Sequence, residues 1–205
     1  MNQYLIDTEF AVQNLFELAT SEENQLQVLT EDLRLKEAEL RVHHWDFQTS
    51  DLNDDFSDAY VMAAFGRAAT ASQEAEQLRG EVATLQASIG THQHAVQAIA
   101  GAILQIAKQG VSLFYGSREA APTGRMLGSL PVRDVIWQAR NQSTHYEEGA
   151  FTKPVRDLFA ILEQEQGPQF SLANHAVQNR AKQVIDVLGW GSYGNYMQDM
   201  QTLLP

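Results

Sequence analysis

Arg140, Asn141 and His145 are the residues whose types and spacing could do chemistry in this chain. They lie in the stretch 135–149, whose apolar spacing predicts an amphipathic helix. An arginine guanidinium can neutralise charge that develops on a phosphoryl oxygen. A histidine imidazole can take a proton from a ribose hydroxyl or return one to a leaving oxygen. The combination indicates phosphoryl-transfer chemistry that needs no metal ion.

Helical geometry determines how these three side chains could cooperate. Asn141 and His145 are four positions apart and share one helix face, so Asn141 can orient the imidazole. Arg140 and His145 are separated by about 140° around the helix axis. They reach one phosphate only where the helix ends or distorts between them, or where two copies of the motif face each other across a symmetric dimer. We favour the dimer.

The segment 140–145, Arg-Asn-Gln-Ser-Thr-His, resembles the motif of the HEPN superfamily of all-helical proteins. The resemblance covers at most residues 93–205. It implies a metal-independent endoribonuclease whose composite active site forms between two protomers, often a toxin or an antiviral defence factor. Arg140 and His145 would then be catalytic, Asn141 would support them, RNA would be the substrate, and an antitoxin or another regulatory protein would be a possible partner.

Tyr146 and Glu148 follow this motif directly. Either side chain could hydrogen-bond to His145 or to the substrate, so we expect supporting roles for both. The alternative is a polar cluster at the helix end that has only an electrostatic effect on the imidazole.

The charge distribution bears on RNA binding in two opposite ways. A net charge of −12 argues against broad affinity for nucleic acid, because phosphate binding usually draws on a basic surface. The window 118–156, however, holds six basic and four acidic residues, so it carries +2 and the remainder −14. We expect four of its basic side chains to contact RNA, the alternative being ordinary solvated charges: Arg118, Arg125, Arg133 and Lys153.

Composition and residue spacing argue against several other classes of site. The chain has no cysteine, which rules out disulfides and thiolate ligands. Glu39 and His43 lie four apart on a helix, but no second such pair accompanies them as a di-metal bundle would require. The longest apolar stretch, 95–107, is too short to span a membrane and contains Gln97 and Gln105. With no signal-peptide pattern, we expect a cytoplasmic protein with no cofactor, no metal and no membrane contact.

The first half of the chain predicts a long helical hairpin. We expect a short helix over 8–19 and, capped by Ser21, a longer one over 22–48, with a break at 51–55. The short helix is amphipathic, and we expect its five apolar residues to cover one end of a core: Phe10, Ala11, Leu15, Leu18 and Ala19. Two stripes on the longer helix predict burial on two sides: Leu26, Leu29, Leu33 and Leu40, and Val28, Leu35 and Val42.

From residue 61 to residue 113, apolar residues recur at intervals of three and four without a slip, which indicates a heptad seam. The unbroken phase favours one helix that continues through Gly90. A function-neutral interpretation is a coiled-coil hairpin for dimerisation. The seam residues are Val61, Ala64, Ala68, Ala71, Ala75, Leu78, Val82, Leu85, Ile89, His92, Val96, Ile99, Ile103, Ile106, Gly110 and Leu113.

The second half predicts a loop over 115–129 and then several helices. The motif helix starts at Ser129–Pro131 and ends at Gly149, and another helix covers 152–166. A third, capped by Ser171, runs to Leu188 with an inward face of Leu172, Ala176, Val177, Ala181, Val184, Ile185 and Leu188. Residues 190–205 form a short docking helix.

Taken together, the patterns predict an all-α protein with a helical region over 1–92, and the resemblance implies a HEPN-like bundle over 93–205. We expect a homodimer that cleaves RNA. Two alternatives remain: a non-catalytic helical scaffold or partner-binding protein, and a metal-binding bundle.

Overall fold

The computed structural model describes residues 2–49 and 58–205. These residues form an all-α fold, as the sequence predicts, with one pairing of two short antiparallel strands. The predicted break at 51–55 lies outside the described residues. The elements are α1 (Gln3–Thr49), α2 (Asp58–Tyr115), β1 (Met126–Leu127), β2 (Leu130–Pro131), α3 (Val132–His145), α4 (Lys153–Gln166), α5 (Ala181–Val187) and α6 (Tyr193–Leu203), with 3-10 turns at Tyr146–Glu148 and Pro168–Phe170.

The chain divides into two compact units. Unit 1 comprises Met1–Glu22 and His94–Pro205, and unit 2 comprises Glu23–Gln93. The first 22 residues therefore belong to the same unit as the motif, whereas the sequence grouped all of 1–92 together. The motif and its surroundings lie entirely in unit 1.

Helix α1 is continuous, so the predicted break between residues 19 and 22 is wrong. The physical reason is an apolar phase that the sequence reading missed. Leucine, valine or alanine recurs every seven residues at Leu5, Val12, Ala19, Leu26, Leu33 and Leu40, and each of these side chains is buried or half-buried. Ser21 is exposed and does not interrupt this stripe.

Several apolar side chains of α1 that were predicted to be buried are exposed. Phe10 and Leu18 are 78% and 48% exposed. The second stripe is also outward: Val28, Leu35 and Val42 are 69%, 53% and 58% exposed. Unit 2 contains only segments of α1 and α2 among the described residues, so each helix has one neighbour and buries one side.

Helix α2 passes through Gly90 without a break, as the heptad phase predicts. Five seam residues are buried: Ala75, Leu78, Val96, Ile99 and Ile103. The four seam residues between Leu78 and Val96 are half-buried. Leu113, near the helix end, is 68% exposed and is the exception. The side chains of the first four seam residues lie outside the described part of the structure.

The core of unit 1 forms where α3 to α6 pack with the start of α1 and the end of α2. The Tyr4 hydroxyl donates a hydrogen bond to the Ile106 carbonyl at 2.8 Å, which ties α1 to α2. A Cβ at Gly110 would lie 2.6 Å from the Tyr4 ring, so this seam position needs glycine for close approach. The predicted helix over 152–166 and the docking helix near the C-terminus are both present as α4 and α6.

The predicted helix that starts at Ser171 is wrong in its first half. Residues 171–180 form turns, and α5 covers only Ala181–Val187. The Gln142 side chain of α3 bonds to the Gln178 carbonyl and the Arg180 amide, which a helix would have used internally. Ala176 and Val177, predicted to be buried, are exposed, whereas Ala181, Val184, Ile185 and Leu188 are buried as expected.

Candidate active site

Helix α3 places the motif between α2 and α4. Its apolar face is fully buried through Val132, Val135, Ile136 and Ala139. A Cβ built at Gly101 of α2 would lie 3.7 Å from the Ser143 hydroxyl, Gln105 bonds to Arg140, and Lys108 lies over Trp137. The two helices are therefore antiparallel along this contact, because residue numbers rise on one as they fall on the other.

The Arg140 guanidinium is held on the α2 side of the motif helix. Its Nε donates to Gln105 Oε1 at 2.5 Å, and one terminal nitrogen donates to Asn141 Oδ1 at 3.3 Å. The residue is half-buried. Its described contacts are with neutral amide oxygens, so the positive charge is not neutralised by a carboxylate of the described chain.

His145 is the last residue of α3, and its side chain is 51% exposed. Its Nδ1 lies 2.6 Å from Glu148 Oε1, on the 3-10 turn that follows. Of the two side chains expected to support the imidazole, Glu148 is therefore the one that contacts it. The Tyr146 hydroxyl donates to Glu147 at 3.0 Å instead, and this hydrogen bond raises the pKa of Tyr146.

Within one chain, Arg140 and His145 have different hydrogen-bond partners. Asn141 donates to the Gln138 side chain at 3.4 Å and so lies on the face of α3 that carries Gln138. Spacings of four, three and four place Asp134, Gln138, Asn141 and His145 on one helix face. Arg140 is directed to α2, on another side, as the 140° separation implies.

Two of the side chains predicted to bind RNA make internal contacts. Arg125 binds the Asp199 carboxylate with two nitrogens, at 2.7 and 2.9 Å, and also donates to the Leu188 carbonyl at 2.6 Å. Arg133 donates to the Ala121 carbonyl at 2.6 Å and to Asp134 at 2.8 Å. Both guanidinium groups hold the segment before α3 in place.

The other two, Arg118 and Lys153, line one pocket of about 390 Å³ between α3 and α4. Each is next to carboxylates: Arg118 lies 2.9 Å from Glu119 and 3.7 Å from Asp134, and Lys153 lies 2.5 Å from Asp157. The pocket is thus charge-balanced and not basic. That either residue contacts RNA stays a prediction.

Sequence reasoning missed Gln142, Gln105 and Lys108. Gln142 has no exposed surface and donates to the Gln178 carbonyl at 2.8 Å, while accepting from the Arg180 amide at 3.0 Å. Lys108 Nζ lies 4.4 Å from the centroid of the Trp137 ring. The available signal was a glutamine within an apolar stretch, since Gln105 interrupts 95–107 and bonds to the motif arginine.

In comparisons with known proteins, no family model, curated protein or solved structure matches the chain. Among the side chains that the structure describes, no three that could bind a metal ion come together, and no described helix is long and apolar enough to span a bilayer. The side chain of His43, the partner proposed for Glu39, lies outside the described part.

Proposed function

We propose that this chain is a metal-independent endoribonuclease of the HEPN type that acts as a homodimer. The proposal rests on the exposure and the hydrogen bonding of His145 at the end of α3. Its imidazole is open to solvent, its Nδ1 is oriented by Glu148, and no described residue is hydrogen-bonded to Nε2. A carboxylate that orients one nitrogen and leaves the other free suits general acid–base catalysis.

In this mechanism, His145 Nε2 takes the proton from a ribose 2′-hydroxyl. The 2′-oxygen attacks the adjacent phosphorus, and the bond from phosphorus to the 5′-oxygen breaks. The leaving 5′-oxygen takes the proton that the imidazolium returns, so the products are a 2′,3′-cyclic phosphate and a 5′-hydroxyl. Arg140 stabilises the negative charge of the pentavalent phosphorane. Asn141 contacts a phosphate oxygen or helps to position the imidazole.

A second copy of the chain completes the site in this proposal. Arg140 and His145 lie on different sides of α3, and each is held by its own neighbours, Gln105 and Glu148. Facing copies of α3 across a two-fold axis could bring the guanidinium of one protomer to the imidazole of its partner. The proposed biological setting is a cytoplasmic toxin or antiviral defence effector, controlled by an antitoxin or another regulatory protein.

The test is cleavage of a mixed RNA pool in EDTA by purified wild-type protein, His145→Ala and Arg140→Ala. General acid–base catalysis contributes about 10²–10⁴-fold, so we expect each variant to lose at least about 100-fold of the rate. His94→Ala and Arg79→Ala change exposed residues of the same types outside the motif and serve as matched controls. Equal cleavage by all five proteins would contradict the proposal.

A second candidate, a non-catalytic helical scaffold, is favoured by one specific observation. Val28, Leu35 and Val42 are exposed at heptad spacing along α1. Such a stripe is typical of a helix that packs against another helix, here a second copy of the chain. The test is sedimentation of the wild-type protein and of Leu35→Lys. A wild-type dimer that Leu35→Lys converts to a monomer, together with absence of RNA cleavage by the wild type, would select this function.

A further inference from the structure

Two basic side chains lie next to each other where α2 packs against α3. Gln105 and Lys108 are one turn apart on α2, and Trp137 and Arg140 are one turn apart on α3. Gln105 binds Arg140 and Lys108 lies over Trp137, so the two contacts are adjacent steps of one helix pairing. The ammonium group of Lys108 and the guanidinium of Arg140 are therefore neighbours.

The two positive charges lie close enough to repel each other. Burial lowers the pKa of Lys108, and the nearby charge of Arg140 lowers it further. A buried or half-buried lysine normally avoids such a neighbour, because like charges repel more strongly away from bulk water. The arrangement therefore carries an energetic cost in the free protein.

Carboxylates that could neutralise these charges are abundant in the sequence but absent at this place. The chain has 26 acidic residues. Five other basic side chains of unit 1 each form an ion pair with one of them: Arg118, Arg125, Arg133, Lys153 and Lys182. Throughout the described ranges, no carboxylate lies within ion-pair distance of Lys108 or Arg140. Arg156 and Arg180 also bond to neutral oxygens, whereas the pair Lys108 and Arg140 differs in that the charge of Arg140 lowers the pKa of Lys108.

We propose that Lys108, together with Arg140, binds a backbone phosphate of the RNA substrate. This inference rests on the proposed function and adds to the motif a residue on α2, 32 positions before Arg140. A phosphate carries the anionic oxygens that both cations lack, and its binding relieves their mutual repulsion. The Trp137 ring holds the ammonium group by a cation–π contact, which keeps it ready for the ligand.

The experiment measures RNA binding separately from cleavage. A fluorescent single-stranded RNA of mixed sequence is titrated with protein that carries His145→Ala. Binding is measured by fluorescence anisotropy at a series of sodium chloride concentrations. Lys108→Gln is compared with Lys108→Arg, which keeps the charge. Lys36→Gln is the matched control, since Lys36 is a half-buried lysine that is paired with Glu81 at 3.1 Å in unit 2. Circular dichroism establishes that each variant is folded.

Loss of one phosphate contact lowers the slope of log K against log salt by about 0.7 for a single strand. We expect this change for Lys108→Gln, together with about tenfold weaker binding, as for the loss of one charged hydrogen bond. Lys108→Arg and Lys36→Gln should keep the wild-type slope. A lysine that served only to pack against Trp137 would leave the slope unchanged.

The outcomes separate this inference from the proposed function. Wild-type cleavage with an unchanged slope in Lys108→Gln overturns the phosphate site and leaves the nuclease intact. A reduced slope without any cleavage by wild-type protein supports the phosphate site and rejects the nuclease. Absence of measurable RNA binding by the His145→Ala protein at low salt overturns the inference.

Discussion

Replacing Gln142 by leucine tests whether this buried glutamine determines the shape of the segment after α4. Gln142 lies inside the motif, is completely buried, and joins α3 to the turns of 171–180 through two hydrogen bonds of 2.8 and 3.0 Å. Leucine has a similar volume, so the packing term should be small. The variant removes both bonds and leaves a backbone carbonyl and a backbone amide without partners.

The magnitude follows from those two orphaned groups. The Arg180 amide is buried and costs about 1–3 kcal/mol when left unsatisfied, whereas Gln178 is exposed and the loss of its hydrogen bond costs about 1 kcal/mol. We therefore expect a loss of roughly 2–4 kcal/mol in the free energy of unfolding. For a chain of this size, each kcal/mol corresponds to a shift of about 2–4 °C in the melting temperature.

The assay is urea unfolding followed by circular dichroism and by tryptophan fluorescence, for which the buried Trp190 is a probe inside unit 1. Gln138→Leu is the matched control, because Gln138 is also a buried glutamine of α3. Its one hydrogen bond to a described residue, from Asn141, is long at 3.4 Å. We expect this control to lose less than about 1 kcal/mol. Equal stability of the two variants would refute the role assigned to Gln142.

Two further predictions concern the core near α6. Arg125→Ala should reduce stability by about 1–3 kcal/mol, less than a fully buried pair because its side chain is 45% exposed, and Arg156→Ala is the exposed control. If Arg125→Ala keeps the stability of wild type but binds RNA more weakly, the result favours the RNA contact predicted from sequence over a structural role of the ion pair. Tyr196 is 1% exposed, and its hydroxyl has no hydrogen-bond partner in the described structure, so Tyr196→Phe should be neutral or stabilising by up to about 1 kcal/mol. Burial raises the pKa of Tyr196 above that of the unfolded chain, about 10, so the neutral phenol stabilises the fold below that pH. This stability is lost as the pH rises further, and Tyr196→Phe should therefore lose less stability in alkaline urea titrations than wild type does. An identical alkaline loss in both proteins would contradict this reasoning.

Heptad spacing made the long helices predictable from sequence. The seam of α2 correctly predicted a helix that continues through Gly90, because burial of a stripe depends on periodicity and one glycine costs only about 1 kcal/mol. The same heptad spacing runs along α1, where Leu5, Val12 and Ala19 continue the stripe of the predicted second helix. The prediction of two separate helices overlooked this continuity. The motif helix could also be predicted, because its amphipathic face is local. Its predicted bounds, Ser129–Pro131 and Gly149, were too wide: the helix covers Val132–His145, Leu130–Pro131 is a strand, and Gly149 ends the 3-10 turn that follows.

The environment of each candidate residue could not be predicted in this way. Three contacts at the site join residues that are 32 to 74 positions apart in the sequence. They are the hydrogen bond of Gln142 with Arg180, the ion pair of Arg125 with Asp199, and the approach of Lys108 to Arg140. No local spacing encodes such contacts, and each depends on how whole helices pack.

The sequence by itself determined that the chain is helical, where most helices lie, and that Arg140 and His145 occupy different sides of one helix. Those properties follow from short-range periodicity and backbone geometry. Only the tertiary structure decided which basic side chains were paired with a carboxylate and which were not. That choice depends on the partners that packing brings to each side chain: Arg125 meets a carboxylate, whereas Arg140 meets an amide oxygen and a second cation.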